Sequence, residues 1–532
     1  MKEDLTSQMN ASGGPSVTSL CTYTRNRTKS FQRWLNSYAQ SARKHGRQIR
    51  LVVADQSDTP SDREANVEAL RSISKSFQIP CFYAANDEKE EFARQLAKHA
   101  GVSTALARFA ICHDEKSPGA YGANRNALLL STVGELTVHA TDDTFCALTA
   151  AENPRQSLKL TSELKQQELC YLTDEEHSLY ENRPDSDDVI SAHEQLLGRS
   201  LSNCIEQYSS ENNSVDLSEC KVRFWGRLQP RLIAMTCAGI VGDSPMGTPY
   251  WVLLSQGKAR DSLVRSEQHY RFSLARQVVS RSVKQLTICD RGWTGGPCEG
   301  LDNRQFLPPF TPIQRGEDII FGLLVELSGS GYLGYLPSLV HHKRPSNHDF
   351  RMADVIEYAT RSCSYTIMKR ILVDCQFPNQ LDPAKNLVAV GRTLQDFGSL
   401  SRREFHQTMR QKLTTHWQEQ IEQIEERLAC YDGQPHFWAA DLTSCLDSLK
   451  SAVNSASVTI GSDMTILDGN SDCLGAMQKY VTDFGMLLES WSDLRKASLE
   501  LHSRGIQLAR PVSAPVIACS VPTGSGKHLQ FS

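Results

Sequence analysis

No run of eighteen apolar residues occurs in the 532-residue chain. The nearest approach, Leu232 to Leu254, is interrupted by Gly242, Asp243, Ser244 and two prolines, so no transmembrane span is expected. Nor is there a Cys-x-x-Cys pair: sixteen cysteines are scattered from Cys21 to Cys519. A zinc ribbon needs clustered pairs, and a secreted disulfide scaffold is shorter and denser. Reduced, mostly buried thiols in a cytoplasmic protein are therefore expected. The N-terminal MKEDLTSQMNASGGPS carries acids early and lacks an apolar centre, which does not fit a secretory signal. Neither sign of charge dominates. With 57 basic and 61 acidic side chains, a formal charge of −4, no nucleic-acid partner is expected. What the chain does have is length and 40% hydrophobic residues, which exclude disorder as the dominant state. At roughly 100–200 residues per domain, that is about two to four domains.

Residues 1–16 are polar and rich in Gly and Ser, the composition of a disordered tail. From Val17 short apolar runs alternate with amphipathic stretches. Strands are predicted at Val17–Tyr23, Ile49–Ala54, Cys81–Ala84 and Leu136–Ala140. Helices are predicted at Phe31–Ala42, Glu64–Phe77, Glu90–Ala100 and Ala123–Thr132. This alternation predicts a mostly parallel α/β sheet. Residues 152–218 turn rich in Glu, Gln, Ser and Asn, suggesting an insertion or mobile flap. Strand-like runs return at Lys221–Phe224 and Leu232–Val241, and an apolar segment covers 319–327. From about 350 to about 505 the texture is helical. Phe405, Met409, Leu413, Trp417, Ile421, Ile424 and Leu428 draw one long stripe there, suited to packing on the rest of the chain or to a homodimer. The tail after Arg510 shows little periodicity.

Four separated features carry chemistry. Asp55 ends the second strand, where open α/β sheets bind ligands; an acid there can meet a nucleobase or ribose, or simply cap the next helix. Asp142 and Asp143 follow the strand Leu136–Ala140. Adjacent carboxylates repel, which a hard Mg²⁺ or Mn²⁺ gripping a diphosphate would offset; otherwise they form a solvated turn. Glu317 and Asp318 open an apolar, helical segment, where backbone N–H groups stabilise an anion fit for general-base work or for capping. His341 and His342 end the run from Tyr335, and either imidazole could ligate a metal.

Together these features resemble the GT-A glycosyltransferases, specifically the family 2-like inverting enzymes, over about residues 17–345. The resemblance implies a GT-A, Rossmann-like mixed α/β sheet spanning 17–349, an α-helical C-terminal region at 350–509, and a tail at 510–532. It implies a nucleotide-sugar donor, a UDP-sugar first, and Mn²⁺ or Mg²⁺ as cofactor. Asp55 would take the base, Asp142 the ribose or donor sugar, and Asp143 with His341 or His342 the metal. Asp318 would be the catalytic base, with Glu317 beside the acceptor. The loop Lys116–Asn126 resembles the family's donor loop, with Gly122 allowing close approach and Arg125 pairing with diphosphate. Thr22 and Arg25, in TYTRNR, sit where the first strand would meet the nucleotide. Trp293, in GWTGG, could stack on an acceptor sugar.

Two departures stand out: Thr141 replaces the first acid of the DxD-type element, and the polar 152–218 segment separates the two acid pairs. A catalytically inactive GT-A scaffold that recruits a partner is one alternative. A nucleotidyltransferase is another, although TYTRNRTKS lacks the glycine run that class needs after its first strand. The near-terminal VPTGSGK lacks the first P-loop glycine and is followed by His528, so it is not expected to bind phosphate.

Overall fold

The computed structural model describes residues 14–112, 119–163, 167–182, 188–210, 213–225, 231–246, 249–291, 296–345, 349–375, 382–455, 458–466 and 472–512. Its strands are β1 (Ser19–Thr24), β2 (Arg50–Asp55), β3 (Cys81–Ala84), β4 (Leu136–Ala140), β5 (Thr144–Ala150), β6 (Ser157–Thr161) and β7 (Glu168–Tyr171). They continue with β8 (Ser214–Glu219), β9 (Ile233–Asp243), β10 (Val278–Ser282), β11 (Leu286–Cys289), β12 (Cys298–Asp302), β13 (Tyr332–His342) and β14 (Arg510–Pro511).

The first strands are apolar runs buried on both faces, as crossover-connected parallel strands are. Helix Thr28–Lys44 covers them with Phe31, Trp34, Leu35 and Tyr38, spaced three and four apart. Helix Pro60–Phe77 starts where Thr59 accepts the Asp62 N–H at 3.1 Å and proline occupies the first turn. The central order is β3-β2-β1-β4-β12-β9-β13. β1 is parallel to both β2 and β4, β2 to β3, and β9 to β13; β12 alone runs antiparallel, between β4 and β9. The protein is thus mixed α/β with a mostly parallel central sheet. Chain order runs outward from β1 through β2 to β3, then jumps back so that β4 lies on the other side of β1. That reversal opens a crevice at the carboxyl ends of β1 and β4, where such sheets bind ligands.

The C-terminal region is helical, from Met352–Thr360 to Cys473–Ser503. Its last helix is anchored on the sheet unit. Trp491 Nε1 donates to the Leu307 carbonyl at 2.8 Å, Ser498 Oγ to Leu130 at 2.8 Å, and Arg495 to Asn303 Oδ1 at 2.5 Å and Gln305 at 2.8 Å. Along helix Arg402–Cys430 the apolar stripe is buried at Phe405, Met409, Leu413, Trp417 and Ile424, against helices Ser364–Val373 and His436–Asn454. No helix among the described residues is long and apolar enough to cross a membrane. Every described cysteine is a free thiol, and most are buried.

Four expectations need correction. The mobile flap, one of the two readings of 152–218, gives way to strands paired into the sheet: β6 pairs with β11 and β7 with β10, because Leu158, Leu160 and Tyr171 supply buried apolar anchors inside a polar sequence. The strand predicted at Lys221–Phe224 is instead a short helix, Val222–Trp225, and Val222 is exposed. Ser16, assigned to a disordered tail, donates to Glu194 at 3.2 Å. Arg510 and Pro511, assigned to an aperiodic tail, add β14 to the edge of β3. Trp293 and the VPTGSGK segment lie outside the described residues.

Candidate functional site

The carboxyl ends of β1, β4 and β13 meet at the crevice. Thr24, last in β1, donates from Oγ1 to Asp142 Oδ2 at 2.7 Å. Arg27 follows β1, and its Nη1 lies 3.2 Å from Asp142 Oδ1 and 3.1 Å from Asp143 Oδ2. Thr141, where an acid was expected, donates to Asp143 Oδ1 at 2.6 Å. His342 Nε2 approaches that same oxygen at 3.2 Å. The other ring nitrogen, Nδ1, lies 2.6 Å from the Asp243 carbonyl, which fixes it as an N–H donor.

The electrostatics follow from this packing. Burial and the neighbouring Asp143 push Asp142 up to about 7. Burial also disfavours the Asp143 anion, but His342, Arg27 and Thr141 outweigh it and hold Asp143 below the usual carboxylate range. Burial opposes charge on His342, yet Asp143 raises its pKa above the ordinary value. One acid of the pair is therefore firmly ionised and the other is close to carrying a proton.

This donor set suits a divalent cation. Ligating imidazoles characteristically donate their second nitrogen to a carbonyl or carboxylate, as His342 does. Asp143 Oδ1 and His342 Nε2 lie 3.2 Å apart, close enough for one cation to contact both. Among the described residues no group of three or more His, Cys, Asp or Glu side chains converges. Asp143 and His342 would thus be two protein ligands, leaving phosphate and water to complete the shell. Alternation along β13 turns His341 to the opposite face. There its ring lies tilted against Phe145 with centres 5.0 Å apart and 3.4 Å from Thr149 Oγ1, so of the two histidines His342 is the one that meets Asp143.

The second acid pair sits nearby. Gly316, at φ 87°, starts helix Glu317–Ser328, and a Cβ there would come within 2.3 Å of Tyr365 from the helical region. Asp318 Oδ1 accepts its neighbour Ile319's N–H at 2.8 Å. Burial raises Asp318, with Arg125 opposing; burial and Asp318 push Glu317 up to about 7. Tyr23, next to last in β1, connects the two pairs. Its phenol is raised well above its ordinary range by burial and then by Glu317, with Asp143 and Asp142 adding. Both acid pairs therefore act electrostatically on one side chain.

A carboxyl held near neutrality is stored instability. At pH 8 the buried Glu317 anion costs up to about 3 kcal/mol, at about 1.4 kcal/mol per pKa unit. That cost appears as pH rises from the ordinary carboxyl range to about 7. Glu317→Gln should accordingly raise the thermal unfolding temperature at pH 8, with the gain vanishing at pH 4.5. A gain independent of pH would contradict this origin.

The remaining expected residues take other roles. Asp55 is fully buried, and its carboxylate accepts from Ser57 N–H at 2.6 Å, Asn66 at 2.8 Å and Tyr83 at 2.7 Å. It braces the end of β2 and is not presented to a ligand. Thr22 is buried inside β1, two residues before the site threonine, Thr24. Arg25 pairs with Asp58 at 3.3 Å, leaving Arg27 as the arginine at the acids. Gly122 does permit a close approach, but of protein: a Cβ would lie 1.7 Å from the Thr311 carbonyl oxygen. Arg125 is buried, ion-paired with Glu299 and stacked 3.9 Å over Phe310. It serves the second acid pair and is not open to a diphosphate. Sequence reasoning missed Thr24, Arg27, Asp243 and Glu299; only Arg27 carried a signal, as the second arginine of TYTRNR.

A cavity of ≈ 200 Å³ lies against His342 and Asp243, walled by His177 and Glu181 from the polar segment and by Arg276, Lys343 and Arg344. No known protein family matches the sequence, and no curated protein matches it.

Proposed function

We propose that the chain is a metal-dependent inverting glycosyltransferase of the GT-A fold. It would move a sugar from a nucleoside-diphosphate sugar, a UDP-sugar first, to an acceptor hydroxyl. The observation that carries this reading is the approach of Asp143 and His342 at the β1/β4 switch point, and a second acid pair, Glu317 and Asp318, supports it through its electrostatic effect on the β1 end. Thr24 and Thr141 orient Asp142 and Asp143, and Asp243 orients His342. A Mn²⁺ or Mg²⁺ held by Asp143 and His342 would supply neutralisation of the charge that develops on the departing diphosphate. Asp318 takes the acceptor hydroxyl proton as that oxygen bonds to the anomeric carbon and the bond to diphosphate breaks. Attack from the face opposite the leaving group inverts the centre. Glu317, near its midpoint at neutral pH, and Arg125 tune the field around Asp318.

One observation favours a second reading, an inactive scaffold: Arg27 already neutralises the acid pair without a metal. A thermal-shift screen of UDP-, GDP- and dTDP-sugars with and without Mn²⁺ separates the two. The enzyme reading expects one nucleotide family to stabilise the chain only when Mn²⁺ is present, followed by release of that nucleotide on incubation. No shift and no release across the panel would leave the scaffold.

A further inference from the structure

The acid pair at the end of β4 comes with its own cation. A single nitrogen, Arg27 Nη1, contacts Asp142 Oδ1 and Asp143 Oδ2, while His342 takes the other Asp143 oxygen. The contacts are within hydrogen-bond range, and the Arg27 side chain is still 31% exposed, so it has room to leave. Its chain neighbour Arg25 is occupied by Asp58 and does not share this position.

We propose that Arg27 is a resident counter-ion that holds the acid pair assembled in the free chain and releases it to Mn²⁺ only when a nucleoside diphosphate enters. This rests on the metal-dependent reading above. The physical basis is competition for the charge of one carboxylate: Arg27 holds Asp143 through Oδ2, on the acid whose Oδ1 faces His342. A divalent ion held by Asp143 and His342 would place a second cation beside the guanidinium, and the two would repel. Metal alone therefore binds against Arg27. A diphosphate changes the balance, because its oxygens offer the displaced guanidinium a bidentate partner. Metal and nucleotide then favour each other's binding, and by linkage the coupling is the same in both directions.

The test follows free Mn²⁺ by electron paramagnetic resonance during titration of the full chain, with and without UDP. In the unaltered chain, UDP should tighten Mn²⁺ binding by about 10-fold or more, within the usual range of coupling between sites. Arg27→Gln should bind Mn²⁺ alone several-fold more tightly than the unaltered chain and lose most of the UDP coupling. Arg27→Lys keeps the charge but not the fork, so it should leave binding of Mn²⁺ alone unchanged and weaken the coupling; it also serves if the Gln variant fails to fold. If either variant reproduces the unaltered chain in both titrations, Arg27 is only structural and the proposal is wrong. If the unaltered chain binds no Mn²⁺ even with UDP, the metal-dependent reading itself fails, and this proposal with it.

Discussion

Replacing Asp318 by Asn should lower kcat by about 10²–10⁴-fold, the usual contribution of a general base, while donor binding stays within a few-fold of the unaltered chain. Asparagine keeps the side-chain oxygen that accepts the Ile319 N–H, so the helix start survives and only the proton acceptor is lost. The change also removes the charge that, after burial, does most to raise Glu317. Glu317 should then titrate below about 7, visible as a shift of its carboxyl resonance. Turnover measured under saturating donor, with donor affinity measured separately, checks the split. Full activity in Asp318→Asn would transfer the base role elsewhere, with Glu317 the first candidate.

Asp143→Asn should have an effect of similar size through a different quantity. Asp143 is the acid shared by His342, Arg27 and Thr141, and it raises the charge state of His342. Its loss would remove one of the two proposed metal ligands. Changes in outer-shell partners alone typically cost 10–100-fold in metal affinity or activity, so loss of a direct ligand should exceed ~100-fold. The remaining rate should no longer respond to Mn²⁺. Asp142 keeps Thr24 and Arg27, so the fold should persist, and circular dichroism would verify it. Retained Mn²⁺-dependent turnover in this variant would mean that the metal is held by other groups.

Much of the sheet was legible because β2, β3 and β4 are compact apolar runs with punctuated ends, and periodicity reports burial directly. The 152–218 segment was not legible. The anchors of its strands, Leu158, Leu160 and Tyr171, stand among polar residues, and their partner strands β10 and β11 lie far along the chain. At the site, residue types were readable but orientation was not. Alternation dictates that His341 and His342 face opposite ways, yet only the placement of β13 beside β9, with Asp243 receiving Nδ1, shows which one meets Asp143. Likewise TYTRNR offers two arginines, and the turn after β1 decides that the second reaches the acids. Asp55 and Gly122 carry local signals that suit a ligand site, but distant protein groups, Tyr83 and the Thr311 carbonyl, occupy the space a ligand would need.

If Asp143 and His342 hold a divalent cation, that cation brings the nucleoside diphosphate to the β1/β4 crevice. Calorimetric titration of UDP into the unaltered chain, with Mn²⁺ and then with EDTA, tests it most directly. The expected result is a one-to-one binding isotherm in Mn²⁺ that disappears in EDTA and in His342→Ala. Binding of equal strength in both buffers, or its survival in His342→Ala, would contradict it.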